Sequence, residues 1–128
     1  MKIAVFGQAY KTGSLGYIKD LLKLLSENEV HIVDEVYDLI KDDLNKIYKT
    51  FPSNKSLSHK YDYMISVGGD GTILRAATII RNSNIPIIGI NTGRLGFLAT
   101  IHKKDMSDAL EQLLAGNFQE HQTYLSYV

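Results

Sequence analysis

The chain has 128 residues, of which 45% are hydrophobic, and this is enough for one domain with its own core. It contains no cysteine, which excludes disulfides and thiolate metal sites and suits a reducing compartment. Its 14 basic residues balance its 14 acidic ones, so no charge excess favours nucleic acid or an anionic membrane as a partner. No apolar stretch approaches the ~20 residues of a membrane span, and a cytoplasmic location is expected.

The first half of the chain alternates short apolar runs with apolar residues at helical spacing. KIAVFG predicts a buried first strand rather than a signal peptide, and VHIV predicts a second strand. Apolar residues from Leu15 to Leu25 predict the first helix between them. A similar pattern predicts a second helix from Val36 to Phe51, and the polar stretch PSNKSLSHK predicts an exposed loop.

The second half repeats this alternation. YDYMISV predicts a third strand, the apolar face from Ile73 to Ile80 a third helix, and IPIIGI a fourth strand. Asp105 is the expected cap of a last helix that ends near Gly116. The tail FQEHQTYLSYV alternates polar and apolar residues, as a half-buried strand does.

These elements predict an α/β fold over residues 1–118. Because the strands alternate with helices and are apolar on both faces, we expect a Rossmann-like, three-layer fold. Its sheet should be mostly parallel, with helices on both faces. Ligands of such sheets bind beyond the carboxyl ends of the strands. Two glycine-rich loops follow the third and fourth predicted strands, so both should lie at that edge.

The first loop, GGDGT, leads from a strand directly into a helix. Glycines such as Gly68, Gly69 and Gly71 let an anion approach the backbone, and the following helix N-terminus favours a phosphate. Asp70 beside a phosphate suggests either Mg²⁺ organisation or a general base that takes a hydroxyl proton. The alternative is structural: Asp70 or Thr72 caps the helix, and the glycines form a turn.

The second loop, NTGRLGFLA, offers a complementary set of groups. Asn91 can form neutral hydrogen bonds, and Gly93 frees the backbone. Arg94 carries a guanidinium for phosphate, and Phe97 an aromatic face for a base. The structural alternative makes Phe97 part of the core and Arg94 a solvated surface charge.

Other candidates are weaker. Arg75 follows Asp70 by just over one helical turn and could reach a phosphate or a ribose, or simply be a surface residue. Gly13, Ser14 and Gly16, at the start of the first helix, are minor candidates for a second phosphate site. The histidines have no ligand-like spacing and are expected at the surface, so no protein metal site is predicted: His31, His59, His102 and His121.

The two loops together resemble the NAD kinase family. GGDGT at 68–72 alone is shared with diacylglycerol and sphingosine kinases, but NTGRLGF at 91–97 points to NAD kinases. The resemblance implies transfer of a phosphoryl group from ATP, or from polyphosphate, to the 2′-hydroxyl of the adenosine ribose of NAD. A divalent cation such as Mg²⁺ would assist. A lipid kinase and a non-catalytic nucleotide-binding module remain the alternatives.

The resemblance also implies roles for single residues. Asp70 would be the general base, and Gly71 and the neighbouring amides would contact phosphates. Arg75 would lie near NAD, and Phe97 would line the adenine pocket. Members of the family continue into a β-rich domain, so residues 119–128 are expected to be its first strand. The chain is thus expected to be an incomplete, N-terminal portion, inactive alone, of an enzyme that forms a homo-oligomer.

Overall fold

The computed structural model describes residues 1–57, 60–81, 83–93, 100–116 and 125–126. In these ranges the strands are β1 Lys2–Phe6, β2 Glu29–Val33, β3 Lys49–Phe51, β4 Tyr63–Gly68, β5 Ile87–Asn91, β6 Ile101–His102 and β7 Leu125–Ser126. The helices are α1 Leu15–Leu24, α2 Asp34–Ile40, α3 Asp70–Ile79 and α4 Met106–Leu114. Short 3₁₀ turns cover Thr12–Ser14, Lys41–Asp43 and Lys103–Asp105.

The strands form one sheet in the order β3-β2-β1-β4-β5-β6, and these six are parallel. From β1 the chain adds β2 and β3 on one side, and it then returns to add β4, β5 and β6 on the other side. Because connections between parallel strands are right-handed, this reversal places α1 and α2 on one face of the sheet and α3 on the other. α4 contacts α1. The predicted α/β fold, with a mostly parallel sheet and helices on both faces, is confirmed.

The core follows from the apolar runs of the strands. All five residues of β5 are buried, and so are the last four of β1 and of β2, because helices cover both faces of the sheet. Ile18, Leu21 and Leu22 of α1 complete one side of this core. Each such side chain contributes about 1.5–3 kcal/mol by leaving water. No helix in the described part of the chain has the length and apolar character needed to cross a bilayer.

The predicted second helix was too long. α2 ends at Ile40 and a 3₁₀ turn follows, where Asp42 and Asp43 oppose the negative end of the helix dipole. Residues 49–51 form β3, which pairs with the free edge of β2. Ile47, which the helical pattern counted as apolar face, is 92% exposed.

The two ends of α4 lie where the sequence predicted them. Asp105 occupies the N-cap position of α4, although its side chain makes no capping hydrogen bond. Gly116 ends that helix with a φ of +82°. In the tail, β7 pairs antiparallel with Ile87 and Ile88, while residues 117–124 and 127–128 lie outside the described residues.

The expectation that the histidines are surface residues was wrong for His31. Its ring is buried, with Nδ1 2.7 Å from the hydroxyl of Tyr61 and Nε2 2.8 Å from Glu29 Oε2. A carboxylate only accepts hydrogen bonds, so Nε2 donates to Glu29 and Nδ1 accepts from Tyr61. His102 is half-buried, and His59 and His121 lie outside the described residues.

Candidate functional site

The candidate site lies at the carboxyl ends of β1, β4 and β5, three neighbouring strands in the middle of the sheet. β1 ends before Gly7 and Gln8, β4 ends at Gly68, and β5 ends at Asn91. Gly68 and Asn91 are register partners, and Thr92 N donates to Gly68 O over 3.0 Å. The two predicted loops are therefore adjacent at the ligand-binding edge of the sheet.

Gly68 is required by the local backbone and packing. Its φ is +155°, a conformation that side chains disfavour, and a Cβ here would overlap Thr72 Oγ1. Thr72 is itself fully buried, and its hydroxyl donates to Gln8 Oε1 over 2.8 Å. Gln8 thus ties the β1 loop to the GGDGT loop, a role that sequence reasoning missed.

Asp70 is the first residue of α3 and is half-buried. The carbonyl of Gly69 accepts from Thr72 N over 3.1 Å and from Ile73 N over 3.2 Å, which starts the helix. A carboxylate in the first turn interacts favourably with the positive end of the helix dipole. A Cβ at Gly69 or Gly71 would meet no atom within 4 Å, so the loop presents bare backbone next to Asp70.

The second loop is held by hydrogen bonds on both sides. Asn91 is buried, and its Oδ1 accepts from Gly93 N over 2.9 Å. The hydroxyls of Thr92 and Ser14 lie 2.8 Å apart, which joins this loop to the start of α1. A Cβ on Gly93 would enter open space. Arg94 and Phe97, the other predicted residues here, lie outside the described residues.

Lys103 is a second residue that sequence reasoning missed. Its ammonium donates to the carbonyl of Thr92 over 3.2 Å and stands 5.1 Å from the ring centre of Tyr17. It follows β6, a strand of only two residues, whose pattern is too short to predict its place in the sheet. The structure therefore adds a positive charge beside the second loop.

Arg75 is not directed to the same place as Asp70. Arg75 is five positions after Asp70 in α3, which amounts to about 7.5 Å along the helix axis and roughly 140° around it. Arg75 is exposed and lines a groove with residues 53–56 and Arg81. The structure thus brings together Gly68, Asp70 and Asn91, but it places Arg75 on another side of α3.

The acidic and histidine side chains near the loops offer little for a protein-held metal ion. No group of three or more His, Asp or Glu residues that could hold an ion exists in the described ranges. Asp70 is the single carboxylate of the GGDGT loop, which suits Mg²⁺ held mainly by substrate phosphates. A cavity of about 810 Å³ lies between α1 and residues 43–48, and none of its lining residues belongs to the two loops. We assign the site to the loops, because parallel sheets bind ligands there.

Comparison with known proteins gives consistent matches. The family described as "ATP-NAD kinase N-terminal domain" matches residues 5–118. NAD kinase of Flavobacterium johnsoniae is 44% identical over 124 residues, which cover 92% of this chain and 42% of that protein. NAD kinase of Christiangramia forsetii is 43% identical over 123 residues, with coverage of 92% and 42%. The chain therefore spans about two fifths of the length of these relatives.

A solved structure shares the fold. The crystal structure of yeast NADH kinase complexed with NADH matches with a TM-score of 0.74 and 18% identity. The match covers 91% of this chain and 38% of the yeast chain.

Proposed function

The chain belongs to the ATP-NAD kinase family, and on this premise we propose that it carries the phosphoryl-transfer loops of an NAD kinase. The reaction would move the terminal phosphoryl group of ATP, or of polyphosphate, to the 2′-hydroxyl of the adenosine ribose of NAD. The observation that carries this proposal is the position of Asp70. It is a carboxylate among bare glycine backbone, at the switch point between β1 and β4.

In the proposed step, the 2′-oxygen of the ribose attacks the γ-phosphorus. The bond between that phosphorus and the β,γ-bridging oxygen breaks, ADP leaves, and Asp70 accepts the hydroxyl proton. A positioned base contributes about 10²–10⁴-fold to the rate. The rest comes from alignment and from stabilisation of charge on the phosphoryl oxygens.

The surrounding residues would hold the phosphates. The amides at the start of α3 and the open backbone at Gly69, Gly71 and Gly93 let an anion approach closely. Lys103, which follows β6 and contacts the second loop at Thr92, would supply positive charge. Mg²⁺ bound with the nucleotide would neutralise phosphate charge; the phosphates would hold it, and Asp70 is the carboxylate of the GGDGT loop that could contact it in addition to acting as the base.

The amino-acid composition and the length of the relatives support proposals about the rest of the NAD site, the location and the partners. We propose that residues beyond this chain complete the NAD site, with residues 119–128 opening a β-rich domain, since the relatives are more than twice as long. The absence of cysteine supports a cytoplasmic location, and the charge balance supports small nucleotides rather than nucleic acid as partners. A homo-oligomer is proposed for the full-length protein by family resemblance alone.

The test of this function is Asp70→Asn in the full-length protein. Turnover of NAD to NADP should fall at least 10²-fold, while the affinity for NAD stays within a few-fold, because the base is lost and the binding surface is kept. Asp108→Asn, which changes an exposed aspartate in the first turn of α4, is the matched control. Unchanged turnover in Asp70→Asn would remove this residue from the mechanism.

A further inference from the structure

A groove on the α3 face of the sheet is separate from the strand-tip loops. It has a volume of about 420 Å³ and lies between α3 and the segment that follows β3. Leu57 N donates to the carbonyl of Ile79 over 2.8 Å, so that segment is fixed to α3 at one end. The lining is polar apart from one isoleucine: Ser53, Asn54, Lys55, Ser56, Arg75, Thr78, Ile79 and Arg81.

The charge of this groove is one-sided. It contains three cations, Lys55, Arg75 and Arg81, and its lining includes no carboxylate. Among the described residues, none of the three forms a salt bridge. The chain as a whole is neutral, so this group of unpaired cations is a local feature. Glu35 is not part of the lining, but it accepts a hydrogen bond from Ser53 Oγ over 2.6 Å.

The groups present suit a phosphate. A guanidinium can bind two phosphate oxygens at once, and hydroxyl and amide side chains supply further donors. Thr78 Oγ1 already donates to the carbonyl of Arg75 over 2.7 Å, and the Ser53 hydroxyl donates to Glu35, so the two arginines and residues 54–56 are the partners left for a phosphate. The volume lies at the lower end of the range for small-molecule sites.

We propose that this groove is an anion-binding site for a phosphate-bearing small molecule, held by Arg75 and Arg81. This site goes beyond the proposed kinase reaction, because it lies on a different side of α3 from the one that carries Asp70. The shared ligand chemistry is a short chain of phosphates. Such a chain occurs both in inorganic polyphosphate and in nucleoside triphosphates.

The test is an NMR titration of the ¹⁵N-labelled 128-residue chain with inorganic tripolyphosphate at low salt. Amide shifts are expected at Ser56, Thr78 and Arg81. Arg81→Gln and Arg75→Gln should each weaken binding at least 10-fold. Lys104→Gln removes an exposed charge elsewhere and should change the affinity less than two-fold. All variants alter exposed side chains, and their amide spectra report whether the fold is kept.

A titration with ATP distinguishes the two sources of the phosphate chain. Equal affinity for ATP and tripolyphosphate assigns the site to the phosphates alone, and tighter ATP binding assigns an added contact with the nucleoside. Equal weakening by all three charge variants, or shifts confined to residues 68–72, would overturn the proposal. Asp70→Asn should leave the groove titration unchanged, so its result is independent of the proposed catalysis.

Discussion

Gly68 and Gly71 lie three residues apart in one loop, but the structure uses their missing side chains differently. The backbone at Gly68 has a positive φ, and Thr72 fills the space that a Cβ would need. Gly71 is exposed on the first turn of α3 and faces open space. The first glycine is therefore needed to fold the loop, and the second is consistent with access for a ligand.

This difference predicts opposite effects of the same substitution. Gly68→Ala should lower the free energy of unfolding by about 2–4 kcal/mol, from backbone strain and overpacking against Thr72. Gly71→Ala should raise it by about 0.5–1 kcal/mol, because alanine favours the helix. Urea unfolding of the 128-residue chain measures both values.

Gly71→Ala should weaken the binding of NAD although it stabilises the fold. The added methyl group would project into the space proposed for phosphates, so NAD affinity of the full-length protein should fall at least 10-fold. A stabilised variant that binds NAD normally would show that Gly71 does not face the ligand. Measuring both stability and NAD affinity therefore distinguishes a glycine that the fold requires from a glycine that gives a ligand access. The sequence alone does not distinguish them.

Single residues also mark the limit of sequence reasoning about the site. Asp70 and the open glycines could be proposed from the sequence because glycine loops at strand ends have a known local chemistry. Gln8 and Lys103 were missed, because they come from β1 and β6, and their approach to the loops depends on the strand order. Periodicity does not encode which strands are neighbours.

At the scale of elements, the error at α2 and β3 has a clear physical cause. The apolar spacing of residues 36–51 fits a helix, and no proline or glycine interrupts it, although Asp42 and Asp43 are unfavourable at the end of α2. The strand forms because β2 has a free edge, and pairing with residues 49–51 satisfies backbone groups there. A tertiary interaction thus overrides a local preference, whereas α1, α3 and α4 are predicted well since burial and periodicity agree.

His31 makes β2 sensitive to acid. Burial lowers the pKa of His31 from its ordinary value, and this outweighs the hydrogen bond to Glu29, which acts in the opposite direction. The unfolded chain therefore binds a proton here at higher pH than the folded chain does. The stability contributed by the neutral ring is present above about pH 6.5 and is lost as the pH falls through the lowered folded value.

We therefore expect the melting temperature of the wild-type chain to fall between pH 7 and pH 5. His31→Gln should flatten this dependence, and His102→Gln, which alters a half-buried histidine at β6, should keep it. The hydrogen bond from His31 also lowers the pKa of Glu29, so a further loss is expected below about pH 4.5. A wild-type melting temperature that is constant from pH 7 to pH 5 would contradict this account.

At the scale of the whole molecule, the layer architecture could be predicted because strands buried on both faces alternate with amphipathic helices. What the 128 residues can do alone is a separate question. The proposed base and the proposed phosphate contacts lie in these loops, but the chain spans only 42% of the length of a relative such as the Flavobacterium johnsoniae NAD kinase. We expect millimolar or weaker binding of NAD and ATP to the isolated chain.

This expectation is checked by calorimetric titration and by an assay for NADP. No appreciable NADP should form with ATP, NAD and Mg²⁺, because residues outside the chain are proposed to complete the NAD site. The full-length protein under the same conditions is the control. Rapid NADP formation by the isolated chain would show that the site is complete within residues 1–128.

The outer side of β5 is shared by two short strands that run in opposite directions. β6 pairs with Ile90 and Asn91, and β7 pairs with Ile87 and Ile88. A long strand with free amides in one row invites another molecule to add to it, which leads to aggregation. Here β6 pairs with one half of the outer side of β5, and β7 pairs with the other half. Solubility at high concentration would then depend on the pairing of β7 with β5 as much as on surface charge.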